Sequence, residues 1–260
     1  MTAQFVNVTE IEGQQVSAEQ LFRMCHRYHW AAQLSEDKDV LEVACGAGQG
    51  LGLLKAKAKS VTAGDLSPEV LAAANVSFGK TIPLSSFGAE VLPFADTSFD
   101  IVILFEALYY IPEVDRFFSE AKRILRPNGK LLIVSANKDL YDFSPSPYSR
   151  RYLGVTELNR ELYKSGFESQ FWGLIDTKTV AARQRILRPV KSVFTKFGLM
   201  PKTMHGKAWM KKLFFGEMAV MPADLAQMAF RYDHPISIAD ETADLTHKVI
   251  YCSATPIPPD

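Results

Sequence analysis

Residues 40–50 read VLEVACGAGQG, an apolar run that ends in a glycine-rich turn. Gly46 and Gly48 lack the Cβ that would hold a ligand away from the backbone. Seventeen residues after Gly48 stands Asp65, at the end of a second apolar run, 61–65. A carboxylate at that place accepts both hydrogen bonds of a ribose diol, as in dinucleotide-binding folds. The turn is nevertheless not a dinucleotide fingerprint. Counted from Gly46, GxGxxG needs a glycine at position 51, which is Leu51. A P-loop is excluded as well, because no Gly-Lys-Ser/Thr follows.

Other residues suit acid–base work or substrate binding. Glu106 directly follows the apolar run 99–105, and Tyr109 and Tyr110 stand close behind it. A carboxylate there can act as a general base or an acceptor anchor, and tyrosine rings attract a cation. The competing reading is that Glu106 bonds backbone amides or a bound ammonium. His26 and His29 stand three apart in a helix-periodic stretch. An imidazole titrates near neutrality, so His29 is a second candidate base, although a lone histidine is more often structural. The stretch 137–152, with two prolines, reads as a loop that carries Tyr148, Arg150 and Arg151. Paired arginines can grip a phosphate or carboxylate, or stand solvated before a helix. No His/Cys/Asp/Glu cluster has metal-ligand spacing, and no metal is expected.

These residues need elements to hold them. The runs 40–44, 61–65, 99–105 and 130–135 are apolar at nearly every position, which suits strands covered on both faces. Helical spacing fits 17–34, with Ser17 as N-cap and Gln20 completing a capping box, and also 49–58, 67–76 and 112–125. Alternating strands and helices imply an open parallel sheet with right-handed crossovers. Ligands bind such sheets at the carboxyl ends of the strands, where the glycine turn, Asp65 and Glu106 all fall. A further helix fits 155–165, capped by Thr156 and stopped by Gly166, and strands follow at 167–173 and 246–254. Between those two strands the pattern breaks, and 178–215 reads as helical pieces interrupted by Pro189, Gly198 and Pro201.

Four segments in order carry a resemblance. Residues 42–50 resemble the first motif of the class I S-adenosylmethionine-dependent methyltransferases, and 64–67 (GDLS) their ribose-binding segment. Residues 89–100 (AEVLPFADTSFD) resemble the stretch written DAExLPFxDxSFD, and 123–130 (RILRPNGK) the RxLKPGG turn. The resemblance implies a Rossmann-like, doubly wound, mostly parallel seven-stranded sheet with an antiparallel last strand, plus a helical insertion before that strand. It divides the chain into an N-terminal helical cap (1–35), a cofactor-binding domain (36–175 with 246–260) and a mainly helical basic insertion or lid (176–245).

The implied cofactor is S-adenosyl-L-methionine. By resemblance the backbone of Ala44, Gly46 and Gly48 lines its methionine part, with Glu42 underneath. Asp65 holds the ribose hydroxyls and Leu66 packs on the adenine. The Phe105 carbonyl faces the methionine ammonium, and Tyr28 reaches the carboxylate. Tyr109 and Tyr110 border the acceptor pocket. Two positions depart from the family. Ala44 replaces a glycine, and Gly88 replaces an aspartate that bonds the adenine amine, leaving that contact to the backbone near Ala89 or to Glu90.

Composition narrows the partners. The chain has 260 residues, 47% of them hydrophobic, with 29 basic and 29 acidic residues. That zero net charge speaks against a nucleic-acid binder relying on bulk positive charge. The average hides segregation: 177–216 hold ten Lys/Arg and no acid, so the rest of the chain stands at minus ten. The three cysteines, the N-terminus without an apolar core and the absence of a membrane-length apolar run point to a cytoplasmic protein. The expected activity is O-methylation of a small-molecule or sugar-type acceptor by in-line displacement. The basic stretch favours an anionic acceptor, such as a nucleotide- or lipid-linked sugar. Two alternatives stand beside it: a membrane-associated methyltransferase of a lipid or quinone, docked through the basic stretch, and a cofactor-binding module without catalysis.

Overall fold

The computed structural model describes residues 9–177 and 217–258. In chain order these form β1 (Gln15–Ser17), α1 (Ala18–Leu34), β2 (Asp39–Val43), α2 (Leu51–Lys55), β3 (Ser60–Asp65), α3 (Pro68–Phe78) and β4 (Leu84–Ser86). Then follow β5 (Phe99–Phe105), a 3-10 turn (Leu108–Tyr110), α4 (Val114–Ile124), β6 (Leu125–Ala136), α5 (Val155–Lys164) and β7 (Phe167–Asp176). Beyond residue 216 come β8 (Met218–Val220), a second 3-10 turn (Leu225–Gln227), β9 (Ile236–Ile238) and β10 (His247–Pro256).

The main sheet has the order β4-β3-β2-β5-β6-β10-β7-β9. Strands β2 to β6 pair in parallel, whereas β10 runs antiparallel between β6 and β7. The strand order reverses between β2 and β5, and the carboxyl ends there form the crevice where open α/β sheets take ligands. Eight strands stand where seven are expected, because β9 adds to the edge beyond β7. Like the unforeseen β4, it has three residues, too few to show a period. Helices cover both faces. One buried cluster joins α1, α2 and α3 to one face of the sheet, and a second joins α4 and α5 to the other.

Local chemistry sets the helix starts. Ser17 caps α1, its hydroxyl accepting from the Gln20 amide at 3.1 Å. The rest of the expected capping box is absent, because the Gln20 side chain donates to Glu10 at 2.6 Å instead. At α5 the N-cap is Gly154, whose amide donates to Glu157 at 3.0 Å; Thr156 lies inside the helix and does not cap it. Gly166, at φ 78°, ends that helix as expected.

The helix of the expected N-terminal cap packs into the core. Leu21, Met24, Cys25, Tyr28 and Trp30 of α1 are buried in the same cluster as the sheet. Within the expected helical insertion, residues 217–245 hold two three-residue strands and one 3-10 turn, with no regular structure between them. β8 pairs antiparallel with β1, Met221 and Leu225 enter the core, and Phe230 stacks on His29. The basic stretch 178–216 lies outside the described residues, and so does its expected role as a lid.

Candidate active site

A cavity of about 560 Å3 opens at the carboxyl ends of β2, β3 and β5. Cavities of that size accommodate ligands of several hundred daltons. Its floor is the glycine turn. Ala44, Gly46 and Gly48 all adopt positive φ, at 57°, 59° and 82°. A Cβ on Gly48 would lie 2.9 Å from the Ala74 Cβ, so the turn packs tightly on α3. Gly50 has another purpose: its Cβ would sit 2.0 Å from the Tyr28 ring, and its absence lets α1 approach the turn.

Asp65 braces the turn. One carboxylate oxygen accepts from the Gly46 amide at 3.0 Å, the other from the Ser67 amide at 2.9 Å. Burial raises its carboxyl above the ordinary range, while those amide bonds act in the opposite sense. Beneath the turn, Glu42 is 1% exposed and accepts from the Tyr28 hydroxyl at 2.5 Å. Burial pushes Glu42 up to about 7, against the pull of Tyr28 and Arg27. Its second oxygen is buried without a partner. Burial raises Tyr28 well above the ordinary phenol range, so it stays a donor.

The other end of the cavity is polar. Glu106, at φ 50°, is ion-paired with Arg23 at 3.0 Å and accepts from the Tyr109 hydroxyl at 3.3 Å. Tyr109 and Tyr110 meet edge to face at 4.6 Å, and Tyr110 shares a 2.5 Å hydrogen bond with Ser146. Between the two ends, Leu66 stands 49% exposed at the mouth, next to Phe87, Gly88, Ala89 and Glu90.

Comparison with known proteins explains this arrangement. Residues 41–133 match a family model described as a methyltransferase domain. A Mycobacterium tuberculosis protein named as a probable S-adenosylmethionine-dependent methyltransferase is 28% identical over 215 residues, 80% of this chain and 75% of its own. The match and the relative support a class I S-adenosylmethionine-dependent methyltransferase. A phthiotriol/phenolphthiotriol dimycocerosates methyltransferase of Mycobacterium ulcerans is 33% identical over 150 residues, about half of each chain. A Thermotoga maritima S-adenosylmethionine-dependent methyltransferase shares the fold at TM-score 0.56 and 15% identity, over 97% of both chains.

The cofactor of the methyltransferase is S-adenosylmethionine, and the residues present fit it. Ala44 and Gly46 line the cavity at positive φ, and a Cβ on Gly46 would meet the Thr9 side chain at 3.2 Å, so the bare turn leaves its backbone at the cavity floor. Of the residues expected at the cofactor, Tyr28, Ala44, Gly46, Asp65, Leu66, Ala89, Glu90 and Phe105 all border the cavity. Glu42 and Gly48 support the turn from below. Two of these side chains are otherwise engaged. The Tyr28 hydroxyl is committed to Glu42, and a carboxylate of Glu90 accepts from the Glu113 amide at 2.8 Å, at the start of α4.

Glu106, Tyr109 and Tyr110 line the polar end of the cavity. Four other expected residues do not reach the cavity. His29 faces the chain beyond β8, its ring stacked on Phe230 at 5.0 Å, and burial lowers its pKa. Tyr148 is 51% exposed, and Arg151 makes only a surface contact of 3.8 Å to Glu161. The Arg150 amide donates to the Tyr109 carbonyl at 2.7 Å, which fixes the loop with both arginine side chains outward. Ser146 is the loop residue that enters instead. Arg23, Arg27 and Gln49 also line the cavity unforeseen. Two arginines four apart among the apolar residues of 17–34 were the readable signal for the first two.

Proposed function

We propose that the methyltransferase methylates a hydroxyl oxygen of a small-molecule or sugar-type acceptor. The observation that carries this reading is the polar acceptor end. Glu106, Arg23, Tyr109, Tyr110 and Ser146 converge there and suit a hydroxylated ligand better than an apolar one. Bound S-adenosylmethionine supplies a methyl group already activated on a sulfonium. What remains for the protein is alignment, exclusion of water and removal of one proton.

The assignments follow the geometry. Asp65 holds the ribose hydroxyls, exchanging its bonds to the turn for bonds to the diol. Leu66 covers the adenine, with Ala89 beside it. The backbone of Ala44 and Gly46 and the Phe105 carbonyl face the methionine part. Glu106 receives the acceptor hydroxyl through Oε2, whose bond to Tyr109 is the longer of its two. That oxygen takes the hydroxyl proton as the methyl group is transferred. Arg23 keeps the carboxylate in place.

A lipid or quinone acceptor is a second reading, favoured by the mycobacterial relatives named for phthiotriol dimycocerosates. A screen with methyl-labelled cofactor separates the readings. Nucleotide sugars and small phenols form one panel, and lipid-linked sugars and quinols in vesicles the other. Label appearing only in the vesicle panel overturns the first reading, and transfer to nitrogen or carbon overturns the oxygen assignment. The cofactor site has its own test. Asp65→Ala should weaken S-adenosylmethionine binding by roughly 1.5–3 kcal/mol, the scale of hydrogen bonds to a charged group. An unchanged dissociation constant in calorimetry refutes the ribose role.

A further inference from the structure

The wall of the cavity that α1 supplies holds a charge without an ion-pair partner among the described residues. Arg23 and Arg27 lie one helical turn apart and face the same space. Arg23 gives its terminal nitrogen to Glu106. Arg27 is 8% exposed, and among the described residues no acid stands within ion-pair distance of it. Its Nε is buried without a hydrogen-bond partner, and so is the Nε of Arg23. The neighbouring groups are engaged elsewhere. Tyr28 and Glu42 bond each other, Glu106 bonds Arg23 and Tyr109, a carboxylate oxygen of Glu10 takes the Gln20 amide, and Tyr251 meets His26. The guanidinium carbon of Arg27 lies 5.7 Å from the centre of the Tyr28 ring, a weak contact for a desolvated cation.

A buried guanidinium is strongly destabilising unless an anion compensates it. Its planar donor array matches a carboxylate or phosphate, which it can bind through two parallel hydrogen bonds. Arg27 lines the cavity and is 8% exposed. We propose that Arg27 is the anion anchor of this cavity, receiving a carboxylate or phosphate group of the ligand bound there. The assignment rests on the reading of the cavity as the methyl-transfer site and adds the residue that orients the ligand. It also replaces Tyr28, whose hydroxyl is already spent on Glu42, as the residue of α1 that meets a ligand anion. The anion has two possible sources, the amino-acid carboxylate of the cofactor or an acidic group of the acceptor.

Calorimetry on the full chain separates these sources. In one arm Arg27→Met is titrated with S-adenosylmethionine and with decarboxylated S-adenosylmethionine. A loss of about tenfold or more for the first with little change for the second assigns Arg27 to the cofactor carboxylate. In the other arm, protein saturated with S-adenosylhomocysteine is titrated with inorganic phosphate and with benzoate. Binding to the wild type that Arg27→Met loses assigns Arg27 to the acceptor. Arg27→Lys keeps the charge without the planar fork and should retain part of the affinity in whichever arm responds. It also preserves the test if the methionine variant does not fold. Unchanged affinities in both arms overturn the proposal, and so does an equal loss for the two cofactor analogues. Failure of the wild type to bind S-adenosylmethionine is a different result, because it removes the cofactor reading; inorganic phosphate and benzoate titrated into the protein without any cofactor then still judge Arg27.

Discussion

The two ends of the cavity are built in different ways. At the cofactor end, three short segments (43–46, 65–66 and 87–90) line the cavity from the tips of adjacent strands. At the acceptor end, side chains far apart in sequence converge: Arg23 meets Glu106 across 83 residues, and Tyr110 meets Ser146 across 36. The family match over 41–133 takes in the whole cofactor end. It also takes in Glu106, Tyr109 and Tyr110, and leaves out Arg23, Arg27, Tyr28 and Ser146. On the proposed reading, the cofactor end is set mainly by local sequence and the acceptor end by tertiary packing. Each end should fail in its own way when disturbed.

The largest effect is expected beneath the cofactor end. Glu42 is raised to about 7 by burial, from an ordinary value near 4.5. Between those values the folded protein holds a proton that the unfolded chain releases. Stability from this group is therefore complete at low pH and falls as pH rises from 4.5 through about 7. Glu42→Gln keeps an acceptor for the Tyr28 hydroxyl but cannot ionise. Relative to the wild type it should gain roughly 3 kcal/mol between pH 4.5 and pH 8. Denaturant titrations at several pH values measure this difference. A constant difference across the range means that Glu42 is ionised throughout, paired more closely with Arg27 than its burial implies.

At the acceptor end the expected effect is smaller and of another kind. Tyr109→Phe removes one donor from Glu106 and keeps the ring stacked on Tyr152 at 4.2 Å. Loss of about 0.5–1.5 kcal/mol should appear as a KM for the acceptor raised several-fold, with cofactor affinity unchanged. If cofactor affinity falls instead, the two ends are not separable and the division proposed above is wrong.

This division also explains what was legible in the sequence. The glycine turn, Asp65 and Leu66 could be read because their roles follow from backbone geometry and strand position alone. Four of the strands were legible by their apolar runs and two more by their place after them, whereas β1, β4, β8 and β9, of three residues each, are too short to have a period. Glu106, Tyr109 and Tyr110 were found because they follow β5 directly. The chain cannot show locally which way a loop turns. A single backbone bond from Arg150 to Tyr109 sends the arginines outward and brings Ser146 in. His29 and Arg27 sit two positions apart on α1, and only the packing of Phe230 decides that the histidine faces away. Residues 217–245 were placed within a mainly helical insertion, but pairing of β8 with β1 holds their start extended.

The smallest expected effect concerns Ala44, where the chain departs from the family's glycine. Its φ of 57° lies in the left-handed region, which disfavours any residue carrying a Cβ. Glycine relieves that strain in the folded state but also frees the unfolded chain, and the two contributions are of similar size. Ala44→Gly should therefore raise stability by less than about 1 kcal/mol. Cofactor affinity should hardly change, because the backbone groups facing the cavity stay where they are. A substantial loss of affinity would show that the alanine methyl itself touches the ligand, and the cofactor end would then depend on side-chain packing as the acceptor end does.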